Sequence, residues 1–261
     1  MDNISKDLRK LALRLSHDCK DGNLQSVFSC LDIVWTLYDK VMHWSPVSAQ
    51  DDDRDFFIIS KGQATLALFP VLIMKGFFSL EEMKDIGSLN SRFCIQTDVT
   101  KFDGGVENSA GSLGHGLPFA TGIAFANKIK KSPSRVFVLV GDGEFSEGTM
   151  WESCIFAATK KLDNLYVVID DNDSASAMVD LRNLDKRLDS FGFTVSHVDG
   201  NDLCALAPVL NKAPASGKPN AIIAHTQRGY GSKTLMERDV WFHKAPNDNE
   251  LIILENEVDA F

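Results

Sequence analysis

Two short apolar runs, Arg135 to Val140 and Leu165 to Asp170, each end in small or polar residues. The first closes at Gly141-Asp142-Gly143 and the second at Asn172, thirty positions after Asp142. Both runs are rich in β-branched or aromatic residues, so each reads as a buried strand of a parallel sheet. The stretch between them, Ser146 to Lys161, reads as a helix. Strand, helix and strand in that order set Asp142 and Asn172 at the carboxyl ends of neighbouring parallel strands, where open α/β sheets bind their ligands. The expected fold class is α/β, a doubly wound and mainly parallel sheet flanked by helices.

Asp142 offers a carboxylate and Asn172 an amide oxygen. A hard cation such as Mg²⁺ or Ca²⁺ takes such ligands and leaves positions for water and phosphate. Gly143 permits close backbone approach, and the amides after it, at the start of the next helix, face an anion. A metal-bridged diphosphate suits both features.

The rest of the chain supports the same architecture. Helices are expected at Ile4 to Lys20, Val27 to Val41, Gln63 to Met74 and Glu81 to Ile86, and further ones from Gly114, at Leu181 to Phe191 and at Leu203 to Leu210. Further strands are expected at Phe56 to Ile59, Thr194 to Val198 and Ala221 to His225. Residues Gly87 to Gly111 form a long loop rich in Asp, Ser, Thr and Gly, and loops of that length usually serve a site. A chain of 261 residues that is 44% hydrophobic can bury one sizeable core, so residues 1–261 are expected to form a single domain.

A formal net charge of -9 excludes a general nucleic-acid or anionic-membrane binder, whose partners reward clustered Lys and Arg. The one basic cluster, Lys128 to Lys131, reads as a solvated helix end. The five cysteines are scattered, without a metal or redox spacing, and no signal peptide is read in Met1 to Lys10. The expectation is therefore a reducing, cytoplasmic setting with free thiols. No apolar run approaches the length of a membrane span.

The segment Gly141-Asp142-Gly143-Glu144-Phe145-Ser146-Glu147-Gly148, with Trp151-Glu152, Leu162-Asp163-Asn164-Leu165 and Asp170-Asp171-Asn172, resembles the thiamine diphosphate signature of transketolases. Arg54-Asp55 with Ser60-Lys61-Gly62 is similar to a second block of that family. Gly105-Val106-Glu107 with Gly111-Ser112-Leu113-Gly114-His115-Gly116 is similar to a third, and Lys244-Ala245-Pro246-Asn247-Asp248 to a last. The four blocks occur in family order over roughly residues 20 to 250.

The resemblance implies thiamine diphosphate as cofactor with Mg²⁺ or Ca²⁺, and a transfer of a two-carbon ketol unit from a ketose or keto-acid donor to an aldehyde-type acceptor. It implies metal ligation by Asp142, Asn172 and Ser174. It implies cofactor contacts from Gln63, Gly111, Leu113, Gly114, Gly143, Glu144 and Asn172, with Leu113 against the ring system, and it sets Glu147 and Glu152 toward a subunit interface. Complete transketolases continue into a pyrimidine-binding domain, which carries the glutamate that activates the cofactor. The expectation is thus an amino-terminal subunit that works with a separately encoded carboxyl-terminal partner, in an α2β2 assembly.

Several histidines of the family are absent or displaced. Asp21-Gly22-Asn23 stands for Ser-Gly-His, Lys61-Gly62-Gln63 for Lys-Gly-His, and Trp241-Phe242-His243 for Trp-His. The stretch Gln96 to Val99 offers no His-Pro pair. By the resemblance, Gln63 and Phe242 would meet the diphosphate, while Asn23 and the Asp98 region would face substrate. Asparagine and glutamine keep a hydrogen bond but cannot exchange a proton near neutral pH. A non-standard donor or acceptor is therefore expected, with His115 and His243 as candidates for proton transfer. His17, His43, His197 and His225 are read as residues of apolar elements without chemistry. Two other readings stand beside this one: the α-type subunit of a 2-oxo acid dehydrogenase, and a scaffold that keeps the fold without catalysis.

Overall fold

Side chains of a strand alternate between the two faces of a sheet, and here that alternation sorts the core into two layers. Phe57, Phe137, Leu139, Tyr166, Val168 and Ile222 face one layer, and Ile58, Val138, Val140, Val167, Ile169 and Ile223 face the other. Runs that are apolar at every position thus become strands buried on both sides. The computed structural model describes residues 1–174, 183–237 and 240–261.

Five strands are found among the described residues: β1 (Phe56–Ile59), β2 (Val136–Gly141), β3 (Leu165–Asp171), β4 (Thr194–Asp199) and β5 (Asn220–His225). They form one sheet in the order β1-β2-β3-β5-β4, and every pairing is parallel. Gly141 pairs with Asp170, so β2 and β3 end side by side and the residues that follow them are neighbours.

The helices that matter for the site are α1 (Asn3–Cys19), α2 (Leu24–Thr36), α3 (Leu68–Met74), α4 (Gly116–Lys130) and α5 (Gly148–Thr159). They are followed by α6 (Leu184–Ser190), α7 (Leu203–Leu210), α8 (Lys233–Glu237) and α9 (Asp248–Ala260). α1 starts where the Asp2 carboxylate accepts the Ser5 N–H at 2.9 Å and stops at Lys20, which adopts a left-handed conformation. α2 starts at Leu24 rather than Val27 and runs into a π-helical turn, Leu37–Val41.

Other expectations change too. The helix after β2 begins at Gly148, because Asp142–Ser146 closes a separate 3₁₀ turn first. The stretch expected as a helix from Gln63 opens as a 3₁₀ turn, Gly62–Ala67, before α3, and that expected at Glu81 is only a 3₁₀ turn, Glu81–Met83. The start expected at Leu181 lies outside the described residues, and α6 is seen from Leu184. α8 and α9 were not expected from the sequence. α9 carries a readable signal, the reciprocal capping of Asn247 and Glu250.

Candidate active site

The 3₁₀ turn after β2 and the loop after β3 bring Asp142, Asn172 and Ser174 together. The Ser174 hydroxyl donates to Asp142 Oδ1 at 2.8 Å, and the Ser174 N–H donates to Asn172 Oδ1 at 3.2 Å. Three oxygen-bearing groups named from sequence are thus linked by one serine. A carboxylate, an amide oxygen and a hydroxyl form a donor set for a hard divalent cation. Among the described residues no group of three His, Cys, Asp or Glu side chains gathers to hold a softer one. Asp142 is buried, and burial raises its carboxyl above the ordinary value. A bound cation would hold it ionised.

Behind these groups lies a buried polar network. The Asp170 carboxylate, at the end of β3, accepts from the Ser29 hydroxyl at 2.7 Å, the Asn172 amide at 3.1 Å, the Lys61 ammonium and the Thr226 hydroxyl. Lys61 is itself buried and also reaches the Ser26 carbonyl at 3.4 Å. Burial alone would lower the Lys61 pKa, but the Asp170 charge overrides it and the net shift is upward. In sequence, Lys61 and Asp170 stand inside the family-like blocks with no role of their own. A lysine and an aspartate at the ends of otherwise apolar strands were the available signal.

Glu144 joins three blocks. Its carboxylate accepts from the Ser60 hydroxyl, from the Gly114 N–H at 2.7 Å and from the Gly141 N–H at 3.0 Å. Those acceptor sites face protein, so Glu144 acts here by fixing the loops around it. Burial raises its carboxyl pKa. Backbone contact presses the second and third blocks together, since a Cβ at Gly62 would lie 2.8 Å from the Gly111 nitrogen. Gly114 adopts φ +79°, a conformation that favours glycine, and a Cβ there would strike Glu147.

A cavity of about 500 Å³ opens beside the glycine block, lined by Ser60, Val99, Ser109, Gly111, His115 and Phe119. His115 Nδ1 lies 3.1 Å from the Leu113 carbonyl oxygen, which can only accept. The ring hydrogen of that contact therefore sits on Nδ1, and Nε2 is left as the basic nitrogen. Leu113 is partly exposed near the cavity, and Gln63 and Gly143 are half-buried in their turns.

His243 occupies a different corner. Its N–H donates to Asn23 Oδ1 at 3.0 Å, and its ring Nδ1 lies 3.5 Å from Asp21 Oδ1. His243 has φ +48°, a backbone state rare for a residue with a side chain. Phe242 is largely exposed and its ring contacts that of His243. The Asp21-Gly22-Asn23 turn and the segment just before the last block thus meet, and α2 connects them to the network. Asn23, Ser26 and Ser29 recur at intervals of three along its first turns, touching His243, Lys61 and Asp170 in succession. Six residues of helix span about 9 Å, which sets the scale between His243 and the network.

His197 and His225, given no chemistry from sequence, are both exposed, His225 as the last residue of β5 and His197 within the edge strand β4. His225 Nδ1 lies 2.7 Å from Asp171 Oδ2, and His225 Nε2 lies 3.0 Å from His197 Nδ1. Asp98, expected to face substrate, caps the 3₁₀ turn Val99–Lys101 with its side chain accepting from Thr100. Glu147 and Glu152 are both exposed.

A parallel sheet with an oxygen-donor cluster and a glycine-bounded cavity at its carboxyl edge defines a nucleotide-like, diphosphate-binding α/β protein. Residues 2–255 match the family described as transketolase, thiamine diphosphate binding domain, and the chain belongs to that family. It is 32% identical over 248 residues to an apulose-4-phosphate transketolase subunit of Actinobacillus succinogenes, covering 93% of this chain and 90% of that protein. It is 39% identical over 233 residues to a Rhodococcoides fascians protein named ferredoxin fas2, covering 89% of this chain and 75% of that one. Iron–sulfur clusters are held by grouped thiolates, whereas Cys19, Cys30, Cys94, Cys154 and Cys204 are scattered and free here. Among solved structures, transketolase from Campylobacter jejuni superposes with a TM-score of 0.85 at 26% identity. That match covers 100% of this chain and 43% of the Campylobacter chain.

Proposed function

We propose that this chain is the diphosphate-binding subunit of a two-component, thiamine diphosphate-dependent transketolase-like enzyme. The observation that carries the reading is the joining of Asp142, Asn172 and Ser174 at the ends of β2 and β3, next to loops that Glu144 ties together. In this reading residues 1–261 act as one thiamine diphosphate-binding domain. Mg²⁺ or Ca²⁺ is held by Asp142, Asn172 and Ser174, and Gln63, Gly111, Leu113, Gly114, Gly143 and Asn172 line the cofactor, with Glu144 holding the loops in place.

Bound thiamine diphosphate supplies the electron sink that lets a carbon–carbon bond beside a carbonyl break and re-form. This chain's own residues anchor, orient and exclude water. His115, with Nε2 free to accept, and His243, beside Asp21, are the groups positioned to exchange a substrate proton. Asn23 cannot exchange one, and its amide oxygen is already engaged by the His243 N–H. That difference from the usual family pattern supports a non-standard ketose or keto-acid donor, or a non-standard aldehyde-type acceptor, in a specialised pathway.

The name of the Actinobacillus relative describes it as one subunit, which supports a separate partner here as well. Phe119, Ile129, Ile155 and Phe156 leave apolar surface exposed on α4 and α5, and Phe119 also lines the cavity. A carboxyl-terminal subunit with the pyrimidine-binding domain would cover that surface and complete the site, as an α2β2 assembly. Free cysteines, with the buried Cys30 and Cys154 thiols pushed up to about 12, support a reducing, cytoplasmic setting. Among the described residues no helix is long and apolar enough to cross a membrane.

The test is co-expression with a transketolase-like carboxyl-terminal subunit, followed by calorimetric titration of Mg²⁺ and thiamine diphosphate. Binding by the pair that Asp142→Ala abolishes supports the enzyme and justifies a donor screen. A pair that binds nothing overturns it in favour of a scaffold, and carbon dioxide release from a simple 2-oxo acid points instead to a 2-oxo acid dehydrogenase.

A further inference from the structure

The two faces of a carboxamide are almost the same shape, so nothing in the outline of Asn172 decides whether oxygen or nitrogen faces Asp142. The groups behind it decide. Asn172 Nδ2 donates to Ser29 Oγ at 3.1 Å and to Asp170 Oδ2 at 3.1 Å. The Ser29 hydroxyl has one hydrogen, and its other neighbours are Asp170 Oδ2 at 2.7 Å and the Ser26 carbonyl at 3.0 Å. Both of those oxygens accept, so the Ser29 hydrogen is spent there and Ser29 meets Asn172 with a lone pair. Two acceptors behind the amide draw its nitrogen inward. The oxygen is left accepting from the Ser174 N–H, and the Ser174 hydroxyl in turn donates to Asp142.

We infer that Asp170 and Lys61 are positioning residues that orient the Asn172 amide oxygen toward the cation held with Asp142, and that Ser29 relays this orientation. This inference rests on the reading of Asp142, Asn172 and Ser174 as a cation site. Lys61 has a distinct part in it. Asp170 is fully buried and Lys61 nearly so, and a buried carboxylate without a counter-charge is strongly unfavourable. Lys61 offsets that charge at Oδ2, the same oxygen that accepts the Asn172 amide, while also reaching the Ser26 carbonyl of α2. Thr226 supplies a further donor, on the other carboxylate oxygen. Four donors from four separate segments therefore hold one acceptor rigidly, and groups of this kind set the affinity of the ligands in front of them.

The experiment uses the co-expressed complex and three variants. Asp170→Asn keeps the shape but replaces one of the two oxygens on which four donors now converge with an amide nitrogen, Ser29→Ala keeps the ion pair and removes the relay, and Asp248→Asn is a control on the exposed surface. Mn²⁺ binding is read by electron paramagnetic resonance, Mg²⁺ with thiamine diphosphate by calorimetry, and the Asn172 rotamer by crystallography. Asp170→Asn is expected to weaken Mn²⁺ binding by about 10- to 100-fold, and Ser29→Ala to do so by a smaller factor in the same direction. In both crystals the Asn172 oxygen should leave the Ser174 N–H. Wild-type affinity in a folded Asp170→Asn complex overturns the inference. If that variant fails to fold, an unchanged Ser29→Ala complex overturns it equally. A wild-type complex that takes up neither ion refutes the cation site and the positioning role with it, whereas a wild-type complex that binds while both variants bind equally well refutes the positioning role alone.

Discussion

Two buried ion pairs in this molecule look alike in composition and differ in what they end on. Arg9 and Asp32 lock α1 to α2, with Arg9 Nη1 and Nη2 donating to the two Asp32 oxygens at 2.9 and 2.7 Å. The remaining guanidinium donors reach Ser5 and the carbonyls of Phe28 and Tyr230, and the rings of Phe28 and Tyr230 flank the cation. Apart from a 3.4 Å contact with the Asn201 amide, these bonds close on α1, α2 and the Tyr230 carbonyl, with no link to the Asp142 cluster. Lys61 and Asp170 are as deeply buried, yet their bonds continue through Asn172 to Ser174, which donates to Asp142. The planar fork of arginine suits a closed, bidentate lock, and the compact ammonium of lysine suits a counter-charge beneath a site. A buried charge pair thus gives a fold its register in one place and a ligand its orientation in another.

The largest effect should come from opening the closed pair. Asp32→Ala leaves a guanidinium buried without its partner and is expected to cost about 3–5 kcal/mol in denaturant unfolding, with Mn²⁺ affinity of the folded complex unchanged. A loss of binding in that variant would erase the distinction between the two pairs. Lys61→Met strands Asp170 in the same way, with an expected cost of about 3 kcal/mol. Unlike Asp32→Ala, it should weaken cation binding as well, so the two variants separate stability from function when both are measured on one preparation.

Glu144 sharpens the comparison because it is a buried acid whose carboxylate is held by neutral donors instead of a cation. Its acceptors serve Ser60, Gly114 and Gly141, and Glu144→Gln turns an amide toward at least one of those donors. The expected cost is about 1–3 kcal/mol. Hydrogen exchange should quicken at the Gly114 and Gly141 amides first, since they lose the acceptor directly. Uniform quickening across β2 and β3 would mean that Glu144 supports the sheet rather than the loops.

How far the sequence could be read follows the same divide between local and distant partners. β1 and α7 were legible to the residue, because an apolar run bounded by polar residues is a local pattern. Asp142 and Asn172 were legible as a pair because strand, helix and strand fix their separation. Lys61 and Asp170 lie 109 positions apart, and Asn23 and His243 lie 220 apart. No spacing rule connects such partners, and only the packing of α2 against the sheet edge brings them together. His197 and His225 were misread for a related reason. His225 is the last residue of β5 and His197 lies two positions before the end of the edge strand β4, and both side chains are exposed.

The smallest effect belongs to charges that stand at the surface, only partly buried. α9 lies along α1 through Arg14 and Glu255 at 2.7 Å, Lys10 and Asp259 at 2.8 Å, and His17 and Asp248 at 2.8 Å. Asp18 and then Asp248 raise the His17 imidazole above its ordinary value of 6.5. The folded chain therefore holds that proton more tightly than the unfolded chain does. The resulting stabilisation is full below about pH 6.5 and is lost as pH rises through the folded-state value. Solvent screening keeps it under about 1 kcal/mol. The difference in Tm between wild type and His17→Gln should accordingly be measurable at pH 5.5, shrink with added salt and close by pH 9. A difference that persists at pH 9 would show that His17 contributes by packing between α1 and α9 rather than by charge.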